Sequence, residues 1–180
     1  MNCPACGAPM HLKPDMDSFK CDYCQNVFFP EKGDDGVRVL GEPCTETCPA
    51  CNAALVHAAI AKIRIEYCIQ CHGMLIPMEI FQTLIDELRS TRGGSVEQPH
   101  ADAGDLHRKI GCPRCHRGMD THFYAGPGNV ILASCEPCSL NWLDRGELMH
   151  IVQAPDEGKP DALFETALGD DDTTGSAGWN

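Results

Sequence analysis

Twelve of the thirteen cysteines in this 180-residue chain lie in Cys-x-x-Cys pairs, and the pairs recur in a fixed order. Three times, a Cys-Pro-x-Cys pair is followed by a second Cys-x-x-Cys pair, after 14, 16 and 19 residues. The three sets of four are Cys3, Cys6, Cys21 and Cys24; Cys48, Cys51, Cys68 and Cys71; and Cys112, Cys115, Cys135 and Cys138. Such a repeat indicates three small structural units, called units one, two and three below.

Each set of four cysteines is predicted to bind one metal ion. A Cys-x-x-Cys turn points two sulfurs at one place, and two turns together supply the tetrahedral thiolate set that zinc favours. Paired motifs separated by about 15–20 residues are a known zinc signature. A disulfide within one pair would close too small a loop to stabilise the chain. We therefore predict that all twelve paired cysteines are ligands of three Zn²⁺ ions.

Two other kinds of sulfur chemistry are alternatives to zinc. Iron also accepts a tetrahedron of sulfurs, so a rubredoxin-like iron redox protein is an alternative interpretation. Rubredoxins usually carry glycine after each pair, and only Cys6-Gly7 shows it here, so zinc is preferred to iron. A thioredoxin-like dithiol site would need a βαβ context, which the sequence lacks.

The residues between the pairs have the pattern of β-hairpins. In unit three, 121–124 and 130–134 are rich in strand-forming residues and flank Gly-Pro-Gly-Asn, a turn signal. In unit two, apolar and charged residues alternate over 61–67, which predicts a strand with one buried face. Apolar residues at helical spacing then follow units two and three. The predicted fold is small, metal-stabilised and mainly β: three tandem zinc ribbons with short helices after the second and third.

The predicted organisation follows from these units and from the composition between them. Aromatic residues make up only 6% of the chain, and units of about 40 residues rarely fold without a staple. One large continuous core is therefore not expected. The predicted segments are zinc ribbon 1 at 1–32, zinc ribbon 2 with its helix at 44–92, a flexible linker at 93–107, zinc ribbon 3 with a short helix at 108–153, and an acidic, largely disordered tail at 154–180.

Several residues outside the twelve ligands also carry predictions. Cys44 is off the repeat and is interpreted as a spare thiol beside unit two, with a ligand-swapping or redox-sensing thiol as the alternative. His72 and His116 each follow a completed pair and are interpreted as turn residues rather than ligands. Trp142 is predicted to pack on its own ribbon. The apolar stripe of the unit-two helix, which includes Phe81, is expected to remain exposed for a groove or a partner.

Unit three resembles the bacterial zinc-ribbon family named after transcription factor IIB. That family combines Cys-Pro-x-Cys, a hairpin and Cys-x-x-Cys with a Trp-Leu-Asp-x-Gly-Glu-Leu helix start, and residues 142–148 match the last element fully. Unit two is similar but degraded: Gly73 keeps the family's glycine two places after the last cysteine, where unit three has Leu140. Unit one is similar only to a generic ribbon. The resemblance implies that the cysteines are metal ligands and implies no catalytic residue.

Charge and closed coordination set the functional predictions. Catalytic zinc keeps one position open, whereas four cysteines fill the coordination sphere, so the chain is predicted not to be an enzyme. The formal net charge of −12 and the pI near 4.9 disfavour binding to phosphates. We predict a zinc-binding protein-interaction adaptor or a regulatory, transcription-associated factor whose partner is another protein.

Nucleic-acid binding in the manner of transcription ribbons is the alternative function. Its local support is the basic run His107-Arg108-Lys109, together with Arg114 and Arg117. The sequence begins with no basic segment followed by an apolar run, and it has no apolar stretch approaching the roughly 18 residues of a membrane span. We therefore predict a cytoplasmic protein that does not bind membranes.

Overall fold

The computed structural model describes residues 1–13, 17–33, 35–94 and 103–155, and these ranges form two antiparallel sheets and two α-helices. Unit one is a three-stranded sheet. Its strands are β1 (Met10–Leu12), β2 (Phe19–Cys21) and β3 (Val27–Phe28). Strand β2 pairs with both neighbours and carries the first cysteine of the second pair. Strand β3 thus adds a third strand to the hairpin of unit one.

Units two and three share the second sheet, which has seven strands in the order β4-β5-β6-β7-β10-β9-β8. Its strands are β4 (Arg38–Thr47), β5 (Ala54–Ile60), β6 (Ile63–Tyr67), β7 (Met74–Pro77), β8 (Asp120–Phe123), β9 (Ile131–Cys135) and β10 (Leu140–Leu143). Every neighbouring pair is antiparallel. The predicted class, mainly β with three ribbons and two following helices, is confirmed.

The pairing of β7 with β10 joins the two units with approximate two-fold symmetry. The last cysteines of the units, Cys71 and Cys138, are 67 positions apart. Leu75 lies opposite Trp142, and these two residues are also 67 positions apart. Each is therefore the equivalent of the other in the two units. The flanking pairs Met74–Leu143 and Ile76–Asn141 exchange under the same offset. A two-fold axis therefore passes between Leu75 and Trp142.

Both helices, α1 (Met78–Thr91) and α2 (Glu147–Gln153), contribute to one core on one face of this sheet. Phe81 is 7% exposed, and Leu84 is fully buried against that face. Two predictions are therefore wrong: the stripe of α1 is not exposed, and units two and three do have a continuous core. The physical reason is that a shared sheet gives both helices one wide apolar surface to cover, which an isolated ribbon cannot supply.

Asp144 and Glu147 are spaced as in a capping box, but the start of α2 forms only half of one. The Asp144 carboxylate does not cap the helix; it accepts hydrogen bonds from Trp142 Nε1 at 3.2 Å and from Arg108. The reciprocal half of the box is present, because Glu147 Oε2 accepts a 2.6 Å hydrogen bond from the backbone N–H of Asp144. The Asp144 side chain thus fixes the position of Trp142 instead of the first turn of the helix.

Glu147 makes the stability of the fold depend on pH. Burial raises the pKa of its carboxyl group from 4.5 to about 7. Between these values the folded chain binds more protons than the unfolded chain, so the stability gained at low pH is lost as pH rises through 7. We expect Glu147→Gln, which cannot ionise, to gain stability relative to the natural chain over this range, by on the order of 3 kcal/mol at most.

Urea unfolding of the zinc-loaded protein at several pH values between 5.5 and 8 measures this difference. Glu79→Gln is the matched control, since Glu79 lies exposed in the first turn of α1. A stability difference between Glu147→Gln and the natural chain that stays constant across this pH range would contradict the assignment.

Unit one packs against the β4 edge of the large sheet. Its small core contains Cys3, Met10 and Phe19 and extends to Leu40 and Ala59 of the large sheet. Because β4 begins at Arg38, residues 38–43, which the sequence placed before unit two, belong to that sheet. Unit one is thus attached to the rest of the described structure through an apolar contact.

The predicted linker at 93–107 ends in an ordered segment. Residues 103–107 form a short 3₁₀ helix, and the Leu106 carbonyl accepts a 2.6 Å hydrogen bond from Thr121 Oγ1 on β8. This contact lets the segment lie along the edge of the sheet. The predictions for 95–102 and for the tail from 156 onward fall outside the described residues. Within the described ranges, no helix combines the length and apolar character needed to cross a bilayer.

Candidate metal centres

The structure brings the twelve paired cysteines together in the three predicted sets of four. Within each set the four sulfurs lie within 4.8 Å of one another. The closest Sγ–Sγ distances are 3.5 Å in units one and two and 3.7 Å in unit three. A zinc ion bound by four sulfurs at about 2.3 Å requires an edge of about 3.8 Å between sulfurs. The sulfur separations therefore fit a tetrahedral metal site and are far longer than a disulfide bond.

Each pair occupies a tight turn that is built by the residue after its second cysteine. This residue adopts a left-handed conformation, with φ between 52° and 75°. In the six turns this residue is Gly7, Gln25, Asn52, His72, His116 or Ser139. In five of the six turns its N–H donates to the carbonyl of the first cysteine, at 2.8 or 2.9 Å. His72 and His116 thus occupy turn positions, as predicted, and are not among the clustered ligand atoms.

Backbone donors prepare one thiol in unit two for the charged state that a metal requires. Burial raises the pKa of Cys68, but hydrogen bonds from the N–H groups of Cys71 and Gln70 and from neighbouring thiols outweigh it and lower the pKa to about 7. Burial dominates at Cys48 and raises its pKa well above the usual range. The site therefore mixes a readily ionised thiol with a reluctant one, and a bound cation supplies the charge that ionises all four.

The metal centres of units two and three share one core, on the sheet face opposite the helices. This core joins cysteines of both sets through apolar side chains contributed by both units. Its buried members are Cys48, Leu55, Cys68, Leu75, Ile110, Cys112, Met119, Ala133, Cys135, Leu140 and Trp142. The two sites are therefore parts of one packed layer, whereas the cysteine repeat predicts separate units.

Gly73 and Trp142 are in close contact across the junction of the units. A Cβ atom on Gly73 would overlap Cζ2 of the Trp142 ring and would lie 2.6 Å from Cη2. The sequence signal for this contact was the glycine that unit two keeps and unit three replaces with Leu140. The Trp142 ring fills the space beside Gly73 on one side of the axis only. Gly73 must therefore lack a side chain, whereas its equivalent Leu140 need not.

Arg114 connects the metal-binding turn of unit three to the strands of unit two. Its guanidinium lies 3.4 Å from Glu46 and 3.2 Å from Glu66. Cys44 lies half-buried near these carboxylates and outside the three sets. Burial, followed by the charges of Glu66 and Glu46, raises the pKa of Cys44 to about 12, so this residue is held as a neutral thiol.

Each of the three four-sulfur clusters is closed by a hairpin. This arrangement defines three ribbons of the zinc-binding class. A model of the transcription factor zinc-finger family, with the IIB-type zinc ribbon, matches residues 47–87. The match covers the second cysteine set, the strands β5 to β7 and most of α1, which confirms the resemblance noted for unit two. No curated protein and no solved structure is significantly similar to the chain.

Proposed function

We propose that this chain is a non-catalytic zinc protein that acts as a protein-interaction adaptor or transcription-associated regulatory factor. The observation that carries the non-catalytic part is the closure of every site by four sulfurs. Zinc that activates water or polarises a substrate needs a coordination position free of protein ligands. Here the metals would serve the fold, and function would lie on the surfaces that they hold in place.

Unit one presents the apolar surface that supports the adaptor role. Tyr23 is 84% exposed, and Val27 and Phe29 are 44% and 49% exposed. Tyr23 lies between the cysteines of a metal-binding turn, and the other two lie on or just after β3. Large, rigid aromatic side chains of this kind are typical anchors of protein interfaces. We therefore place the partner-binding surface on unit one.

Nucleic-acid binding remains the second candidate because the family match carries a transcription-factor description. The predicted basic group gives it less support than expected. Arg108 is paired with Asp144, and Arg114 with Glu46 and Glu66, so both guanidinium groups face carboxylates. The net charge of −12 opposes approach to a phosphate backbone. These observations favour a protein partner.

Affinity capture with matched variants tests the adaptor proposal. Immobilised zinc-loaded protein is expected to retain a defined partner that the double variant Tyr23→Ser, Phe29→Ser loses by at least about tenfold, as when an interface anchor is removed. Ile69→Ser is the control, because Ile69 is 57% exposed in the corresponding turn of unit two. Equal capture by all three proteins would rule out unit one as the docking surface, and a salt-sensitive gel shift with DNA would favour the alternative.

A further inference from the structure

A cavity of about 600 Å³ lies on the helix side of the unit-three strands and reaches the metal-binding turn at Cys135, Glu136 and Pro137. Its volume is typical of small-ligand sites. Phe81, Tyr124 and Leu132 form its apolar walls. Its polar lining comes from Asp120, His122, Ser134, Glu136 and Asn141. None of the predictions from the cysteine repeat uses these residues.

Unit two provides an internal control for this cavity, because the two-fold relation assigns each lining position an equivalent. Ser134 and Asn141 correspond, at the offset of 67, to Tyr67 and Met74. The strand registers extend the comparison: Asp120 faces Ser134 as Val56 faces Tyr67, and His122 faces Leu132 as Ala58 faces Ile65. The equivalences are Val56 with Asp120, Ala58 with His122, Tyr67 with Ser134, and Met74 with Asn141.

Three of the four equivalent positions are packed in the core of unit two and polar in unit three. In unit two, Ala58, Tyr67 and Met74 are at most 3% exposed and belong to the core beneath the helices. In unit three, the same face is polar and opens into the cavity. Positions that serve only packing are expected to be apolar, whereas Ser134 and Asn141 hydrogen-bond to each other and line open space. The replacements therefore indicate a binding surface.

The polar floor of the cavity is an ordered network. The Ser134 hydroxyl donates to Asn141 Oδ1 at 2.7 Å and lies 2.9 Å from His122 Nε2. His122 Nδ1 lies 3.0 Å from the carbonyl oxygen of Phe123. Ser134 and Asn141 are only 8% and 6% exposed, and they account for two of the three buried polar side chains in the described ranges. The oxygen atoms of both side chains keep further capacity to accept hydrogen bonds.

The lining selects the charge of the ligand. It contains two carboxylates, Asp120 and Glu136, and neither lysine nor arginine. The Phe81 and Tyr124 rings meet edge to face, with centroids 5.8 Å apart. Carboxylates, oxygen acceptors and aromatic rings together favour an ammonium or guanidinium group. We propose that this cavity binds an organic cation, either a basic side chain of a polypeptide or a free small amine.

Titration of the zinc-loaded, ¹⁵N-labelled full chain tests this site with defined probes. N-acetyl-argininamide carries the cation on a peptide-like backbone, agmatine carries it free, and N-acetyl-citrullinamide is the neutral isostere. We expect the two cations, but not the isostere, to shift the amide signals of β8 and β9. Binding of argininamide alone would assign the cation to a polypeptide, and binding of agmatine alone would assign it to a free amine. Equal binding of the isostere, or no shift on these strands, would overturn the proposal.

Two substitutions connect the binding to the cavity. Asp120→Asn keeps the size of the side chain and is expected to weaken cation binding about tenfold, as for the loss of one charge-assisted hydrogen bond. Ser134→Tyr installs the unit-two residue and is expected to abolish binding by filling the space. Glu31→Gln removes the same charge from an exposed position on unit one and serves as the control. Unchanged affinity in Asp120→Asn would also overturn the proposal. None of these outcomes depends on the adaptor surface of unit one.

Discussion

Removal of the metal from unit two is expected to unfold unit three as well. Cys48 and Cys68 lie in the same apolar core as Cys112, Cys135 and Trp142, so neither centre can collapse without exposing the other. Metal binding in such small units supplies on the order of 10 kcal/mol of folding free energy or more. Cys68→Ser is therefore expected to cause loss of zinc from both sites and to unfold the seven-stranded sheet.

Trp142 reports this coupling directly. It is 1% exposed and lies in unit three, whereas the substitution is in unit two. The experiment uses the background Trp179→Phe, which leaves Trp142 as the single tryptophan, and measures its emission alongside zinc content by mass spectrometry. The parent protein should be colourless with three zinc ions, and visible thiolate-to-iron absorption would contradict zinc.

Two controls separate coupling from general damage. Cys44→Ser removes a thiol that lies outside the clusters and should leave both emission and zinc content unchanged. Cys21→Ser should release the unit-one metal, because its core is a separate cluster, without shifting the emission of Trp142. If Cys68→Ser loses only one zinc ion and keeps Trp142 buried, units two and three are independent.

Gly73→Ala is expected to destabilise the protein by about 3 kcal/mol, the upper range for overpacking a tight core. Its φ lies outside the left-handed region, so the cost comes from the overlap of the new methyl group with the Trp142 ring rather than from backbone strain. Trp142 cannot move away easily, because it is buried and its Nε1 donates to Asp144. Urea unfolding at saturating zinc measures the loss.

A double-mutant cycle identifies the contact that is responsible. Trp142→Leu removes the six-membered ring and makes room for the methyl group, so Gly73→Ala should cost much less in that background. Gly93→Ala is the control, since a Cβ atom there meets no atom within 4 Å, and its effect should stay within about 0.5 kcal/mol. Additive effects of the two core substitutions would show that the contact does not set the cost.

The metal clusters and most local elements could be predicted because their signals are local. The spacing of the cysteines gave all three sets, and the alternation in unit two gave the strand that ends at Tyr67. The turn signal in unit three predicted the hairpin in which β8 ends at Phe123 and β9 begins at Ile131. Trp142 is buried rather than exposed, but its ring packs between the units and not on its own ribbon alone.

The joining of units two and three could not be predicted, because it depends on pairing between strands that are distant in sequence. β7 and β10 are each four residues long and begin three and two residues after the last cysteine of their unit, so neither shows a long alternating pattern. That pairing buries Phe81 and Leu84, whose exposure would be expected on an isolated ribbon. The cavity of unit three was missed for a related reason: the polar residues that line it are noticed only when they are superposed on the apolar residues of unit two.

The axis between Leu75 and Trp142 is what a symmetric homodimer of a one-ribbon protein would have at its interface, where the same outer strand of each copy meets itself. Tandem duplication of such an ancestor places both subunits in one chain. Once the subunits are covalently joined they need no longer be identical. Unit two can therefore retain Gly73 and α1, which maintain the association, while unit three diverges.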